Sequence, residues 1–195
     1  MIREYKLPQV NCPSCNAAGL NLGEVEYEVE SFGRVLMSVT SCSLCGFRHS
    51  DVFSLTSHDP TIMSLKIASR EDLKTRIVRS GTSTITVPEL GVSIKPGMNA
   101  EGFISNVEGV LTRIEDVLQF MTRSVEGRKK QKAGLVLKKV QRAREGKLRV
   151  TVVLKDPFGN SGIVSKKVKR RRMSTRELDR LKSGEHAIAQ RRKRS

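Results

Sequence analysis

The first regular pattern along the chain is an alternation. Glu24-Val25-Glu26-Tyr27-Glu28-Val29-Glu30 sets acids on one side and apolar side chains on the other, the period-two signature of a half-buried strand. Ser31-Phe32-Gly33 supplies a turn, and Arg34 to Thr40, rich in Val, Leu, Met and Thr, reads as the returning strand. Short β segments are expected at 51–56, 62–68, 76–79, 82–87 and 92–94, punctuated by Pro88, Gly91, Pro96 and Gly97. The period then changes. Val107, Val110, Leu111, Ile114, Val117, Leu118, Met121 and Val125 recur at three-and-four spacing, which predicts a helix over 105–125, with Ser105 and Glu108 as its capping box. Beyond Gly127 a weaker stripe, Ala133, Val136, Leu137, Val140 and Ala143, predicts a second helix over 128–145 with Gly146 as its stop. The two read as a helical hairpin. A strand at 148–154, a turn at 156–161 and a closing strand at 162–165 follow. Ser174 and Glu177 then cap a short helix through Lys182.

The chain has 195 residues, 37% of them hydrophobic and 4% aromatic with no Trp, so its core is built from Val, Ile and Leu. The net charge is +16, but its distribution says more. Residues 1–120 hold 11 Lys/Arg against 14 Asp/Glu, and residues 121–195 hold 25 against 6. Such asymmetry suggests a polyanionic partner for the back half, RNA or the ribosome. The candidate contacts are Lys166, Lys167, Lys169, Arg170, Arg171 and Arg172, with a second run at 191–194. Residues 166–195 read as a basic, flexible tail. No aromatic residue follows Phe158, so this tail offers no platform for stacking bases. No apolar run approaches the roughly 18 residues of a membrane helix, and the N-terminus lacks the apolar block of a signal peptide. The sequence therefore reads as soluble and cytoplasmic, with no membrane partner.

All four cysteines lie in two CxxC pairs, Cys12-Pro13-Ser14-Cys15 and Cys42-Ser43-Leu44-Cys45. In a reducing compartment this favours metal over disulfides. Each pair presents two thiolates from one tight turn, and two such turns at the base of a hairpin complete a tetrahedron. Gly46 suits the close turn beneath a sulfur. The alternative, a redox pair, normally opens a helix, and neither pair does. The expectation is one structural Zn2+ ion on Cys12, Cys15, Cys42 and Cys45. With four thiolates committed, no coordination position is left for water and no cysteine for nucleophilic work.

Other catalytic equipment is sparse. His49, His58 and His186 stand in no catalytic constellation, and no phosphate-cradling glycine motif is present. The chain reads as a binding protein, not an enzyme. The turn Asp156-Pro157-Phe158-Gly159-Asn160-Ser161 has two readings. It is a well-made connection, since Asp-Pro initiates turns, Gly159 permits positive φ, and Asn160 and Ser161 can bond nearby backbone. Alternatively its side-chain specificity serves a partner.

Several of these segments together resemble the ZPR-type zinc-finger proteins. They are Cys12 to Cys15, CSLCGFR at 42–48, Asp51-Val52, Ser80, ITVPEL at 85–90, GFISNVEGVL at 102–111 and LKDPFGNS at 154–161. Ser105-Asn106 departs from the family's usual Thr-Thr. The resemblance covers about residues 10–165 and implies an α+β, mostly β fold. Its expected parts are an N-terminal zinc ribbon (1–50), a β-rich domain with an inserted helical hairpin (51–165) and, outside the family pattern, the tail (166–195). Eukaryotic members carry two such units and bind translation elongation factor one-alpha, assisting its folding. This chain has one unit, as archaeal members do. The resemblance thus implies an elongation-factor partner and gives Asp156, Pro157, Gly159, Asn160 and Ser161 a part in binding it.

Overall fold

In a computed structural model, which describes residues 2–56, 58–97 and 100–181, the alternating segment pairs as its pattern requires. Strand β2 (Ala18–Val29) runs antiparallel to β3 (Gly33–Ser41), from Asn21 opposite Ser41 to Val29 opposite Gly33. Two further strands widen this hairpin to a four-stranded sheet in the order β1-β2-β3-β4. Strand β1 (Ile2–Asn11) has no counterpart in the sequence reading, and it contains Pro8, a residue that disfavours central strands. It is tolerated here because β1 is an edge strand whose register shifts between Leu7 and Asn11. Strand β4 (Arg48–Ser54) pairs with β3 throughout. The boundary expected at residue 50 therefore falls inside a strand of the ribbon's own sheet.

The rest of the chain forms a five-stranded sheet, β12-β5-β10-β7-β8, and a three-stranded one, β11-β6-β9. The first is built from β5 (Thr61–Ile67), β7 (Thr84–Val87), β8 (Val92–Ile94), β10 (Val150–Asp156) and β12 (Lys169–Arg172). The second uses β6 (Arg76–Arg79), β9 (Phe103–Asn106) and β11 (Gly162–Val164). In β10 every second residue is buried, and Val150, Val152 and Leu154 enter one core with Met63, Leu65 and Ile67 of β5 and Ile77 and Ile163 of the smaller sheet. Helices α1 (Arg70–Leu73), α2 (Val107–Ser124) and α3 (Gly127–Arg144) accompany the strands. Helices α2 and α3 lie between β9 and β10 in the chain and pack on each other across the link Val125-Glu126. Val107, Val110, Leu111, Ile114 and Leu118 of α2, and Ala133, Val140 and Ala143 of α3, complete the core.

Two expectations are corrected. Helix α2 starts at Val107, capped by Asn106, whose Oδ1 accepts the Gly109 N–H at 2.8 Å. Ser105 instead stands in β9 opposite Ile77. Asn caps as well as Ser, and the ladder to β6 takes Ser105. The second correction concerns the tail. Lys169, Arg170, Arg171 and Arg172 form β12, paired with β5 from Ser64 to Thr61, and Met173 beyond them is buried. Lys167 Nζ meets Asp72 at 2.7 Å, Arg170 donates to the Ile163 carbonyl, and Arg171 pairs with Glu177. Residues 169–172 are an edge strand of the sheet, entered through a turn at 166–167, not a flexible extension. An edge strand is where charged side chains are expected, which is why its charge concealed it. The capping box is present, Ser174 N–H to Glu177 Oε2 and Glu177 N–H to Ser174 Oγ, ahead of a helical turn at 175–181. Residues 182–195, with His186 and the run 191–194, lie outside the described residues.

Candidate metal centre and its anchoring to the core

The two cysteine turns are built alike. The Cys12 N–H donates to the Ala17 carbonyl and the Asn16 N–H to the Cys12 carbonyl; the Cys42 N–H donates to the Phe47 carbonyl and the Gly46 N–H to the Cys42 carbonyl. Each chain leaves its turn through a left-handed residue, Asn16 at φ 58° and Gly46 at φ 73°. Sequence reasoning recognised only Gly46. Asn at the same offset was the available signal, since besides Gly it is the residue that most readily adopts this conformation.

Register between β2 and β3 then brings the turns together. Cys12 Sγ lies 3.6 Å from Cys45 Sγ, and Cys15 Sγ 3.8 Å from Cys42 Sγ. All four sulfurs fall within 4.8 Å of one another. These separations are far beyond the about 2.05 Å of a disulfide. They match the about 3.8 Å edge of a tetrahedron with about 2.3 Å zinc–sulfur bonds. Among the described residues this is the one group of His, Cys, Asp or Glu set to hold a metal ion. Backbone N–H groups of Cys45 and Leu44 favour the Cys42 thiolate and bring its thiol down to about 7. At Cys15 the Ala17 N–H also lowers the value, but bonding with Cys45, burial, and bonding with Cys12 and Cys42 outweigh it, and the thiol is pushed up to about 12. Thiols so close cannot all ionise without a cation, and a bound divalent ion supplies that compensation. Cys12 and Cys42 are buried under Leu7, Leu20 and Phe47, whereas Leu44 at the turn's tip is 75% exposed.

The other end of the hairpin is fastened to the core. Val29, Phe32, Val35 and Val52 of the ribbon form a second apolar cluster with Val78, Ile104 and Val164 of the three-stranded sheet. Phe32 also stacks on His58, ring centres 5.0 Å apart. Gly162 is required beneath Phe32, because a Cβ there would lie 2.4 Å from the ring. Asp51, which the site reasoning missed, accepts the Gly81 N–H at 2.8 Å, and the Gly102 N–H donates to the Ser50 carbonyl.

The turn at 156–161 belongs to the same junction. Asp156 is fully buried; its Oδ1 accepts the Phe158 N–H at 3.0 Å and its Oδ2 the Ser161 N–H at 2.5 Å. Burial pushes its carboxyl up, against those N–H bonds. Asn160 Oδ1 accepts the Ser54 N–H of β4 at 3.1 Å, and Ser161 Oγ accepts the Ser80 N–H at 3.0 Å. Gly159, at φ 74°, admits no Cβ, which would meet the His58 carbonyl at 2.1 Å. Pro157 is buried as well. The structure thus brings the five candidate residues together, with internal partners for Asp156, Asn160 and Ser161, and leaves Phe158 as the turn's exposed side chain. Four of the six basic candidates likewise bind within the chain: Lys167, Arg170 and Arg171 as above, and Arg172 to Asp59 at 3.2 Å.

Residues 71–189 match the family model of the ZPR1 jelly-roll domain, a span that takes in β12 and so extends the family pattern past residue 165. An uncharacterised ZPR1-like protein of Methanocaldococcus jannaschii is 41% identical over 178 residues, 90% of each chain. A second, from Pyrococcus horikoshii, is 37% identical over 193 residues, 96% of this chain and 85% of that one. The zinc finger chaperone zpr1 of Schizosaccharomyces pombe is 29% identical over 157 residues, 77% of this chain but 34% of the longer protein. A shared jelly-roll domain, archaeal relatives matched over 85–90% of their length and a four-cysteine cluster lead to one assignment: this chain belongs to the ZPR1 family.

Proposed function

We propose that the chain is a protein-binding module, not an enzyme. In this reading one structural zinc ion, held by Cys12, Cys15, Cys42 and Cys45, keeps it in shape. Its client is a translation elongation factor of the one-alpha/Tu type, which it binds or helps to fold in the cytoplasm. The observation that carries the reading is the free end of the ribbon. There a closed four-thiol centre offers no open position for chemistry, yet holds Leu44 out in solvent at 75% exposure, where an apolar side chain adds nothing to the fold. An apolar side chain held out on a rigid turn is available as an anchor for a protein partner. The fission yeast relative is itself named a zinc finger chaperone, and the sequence motifs point to the family whose eukaryotic members attend the elongation factor. The DPFGNS turn contributes to binding through Phe158, with Asp156, Pro157, Gly159, Asn160 and Ser161 fixing the loop that presents it.

A pull-down from cell extract, with and without nuclease and at two salt concentrations, tests this reading. The expected result is an elongation factor whose recovery resists nuclease and falls more than tenfold, about 1.4 kcal/mol, for Leu44→Ser at unchanged zinc content. Recovery of ribosomes or RNA alone would overturn it. The further prospect of RNA contact through residues 166–172 loses support, because those side chains are largely engaged within the sheet edge.

A further inference from the structure

Much of the back half's charge lies on α3. Gly127–Arg144 holds eight basic residues and no acid. Arg144 pairs with Glu108 and Glu115. The other seven, Arg128, Lys129, Lys130, Lys132, Lys138, Lys139 and Arg142, are exposed and make no ion pair among the described residues. The acids at the helix ends are Glu126, as N-cap, and Glu145, which pairs with Lys147.

Helical geometry concentrates these cations. With about 100° between successive residues, Arg128, Lys132, Lys139 and Arg142 fall on one stripe bordered by Lys138. That stripe lies about 100° round the helix from the centre of the buried Ala133, Val140 and Ala143 and spans roughly 21 Å at 1.5 Å per residue. The arrangement works against the helix. Arg128–Lys132 and Lys138–Arg142 are like-charge pairs four apart, which destabilise. Arg128, Lys129 and Lys130 sit in the first turn, at the positive end of the dipole, where acids are favoured. Neither packing nor helix stability accounts for this placement, whereas a polyanion relieves both penalties.

We propose that the outer face of α3 is an RNA-binding surface that grips the sugar-phosphate backbone of a double-helical segment. A duplex presents a charge about every 1.7 Å along its axis, so a straight row of cations over about 21 Å meets several phosphates at once. The face carries no aromatic side chain for stacking the bases of a single strand. It is not a membrane surface, since a helix lying in a bilayer needs a broad free apolar face and that of α3 is buried, with Leu135 alone among its large apolar residues strongly exposed. RNA rather than DNA follows from the proposed attendance on a translation factor; the binding itself is measured without that factor, so the two readings fail separately.

The test uses the full chain and a mixed-sequence 20-base-pair RNA duplex, with affinity followed by anisotropy from low to moderate salt. Five phosphate contacts give a log–log slope of about −4.5. The triple variant K132Q/K139Q/R142Q should flatten the slope by about 2.7 without altering zinc content or thermal melting. The charge-matched R191Q/R192Q/K193Q should flatten it by less than half as much. Should the α3 triple fold poorly, R128Q and K138Q singly should each remove about 0.9. An unchanged slope for the α3 variants, or an equal loss for the 191–193 variant, would overturn the proposal. So would tighter binding to a DNA duplex of the same sequence, to polyglutamate or to phosphatidylserine vesicles than to the RNA.

Discussion

Removing the metal from the ribbon should unfold one end of it and spare the other. Substituting Cys42 by Ser takes away a buried sulfur 3.8 Å from Cys15 Sγ and 27 positions from it in sequence. As a cross-link alone, closing a loop of that length is worth about 3.5 kcal/mol in the chain-entropy treatment, and structural zinc supplies on the order of 10 kcal/mol in small finger modules. That loss falls locally. Cys42 lies about 24 Å along β3 from Val35 at 3.4 Å per residue, and Val35 is held with Val29, Phe32 and Val52 in the cluster shared with the three-stranded sheet. Hydrogen exchange on wild type, chelated protein and Cys42→Ser, with metal content measured in parallel, resolves the two ends. Amides at the cysteine turns and the pairs Asn21–Ser41 and Leu22–Thr40 should lose at least a hundredfold of protection, while Val29, Val35 and Val52 keep theirs. Stoichiometric zinc in Cys42→Ser, or uniform loss of protection through β10, would refute the idea that zinc holds only the free end.

Other outcomes follow from the junction and the sheet edge. Phe32→Ala removes the ring packed over Gly162 and against His58, and should lower stability by about 3–5 kcal/mol in urea unfolding with zinc content retained. Asn160→Ala strands the Ser54 N–H and should cost about 1–3 kcal/mol; elongation-factor affinity per folded molecule, measured by calorimetry, then tells whether the turn also binds. The Lys167 ammonium, with N–H groups of Ala68 and Ser69, holds the Asp72 carboxyl well below its usual range. A folded value below the unfolded one gives stabilisation that is complete above about pH 4 and lost as the pH falls. Lys167→Gln should therefore lower stability at pH 7 by about 0.5–1 kcal/mol, an exposed lysine being weakly coupled, and the difference from wild type should vanish in strong acid.

Local chemistry set much of the fold in advance. Period-two alternation places β2, three-and-four spacing places α2, and each CxxC sets two thiols on one tight turn, because each of these is settled by residues close in sequence. Strands β1, β9 and β12 escaped because partners distant in sequence make them strands. Pro8 is acceptable only at an edge, Ser105 is extended only because β6 lies beside it, and a run of arginines becomes β12 only by pairing with β5. The same distinction divides the candidate site. The four-cysteine cluster is legible from spacing alone. The duty of Asn160 and Ser161 is not, since their partners Ser54 and Ser80 are brought to them only by tertiary packing. Net charge, likewise, is a property of the sequence. Which cations remain free is decided by tertiary structure, which engages Arg170, Arg171 and Arg172 of β12 with a carbonyl and two acids and turns seven of the eight cations of α3 to solvent, with no ion pair among the described residues.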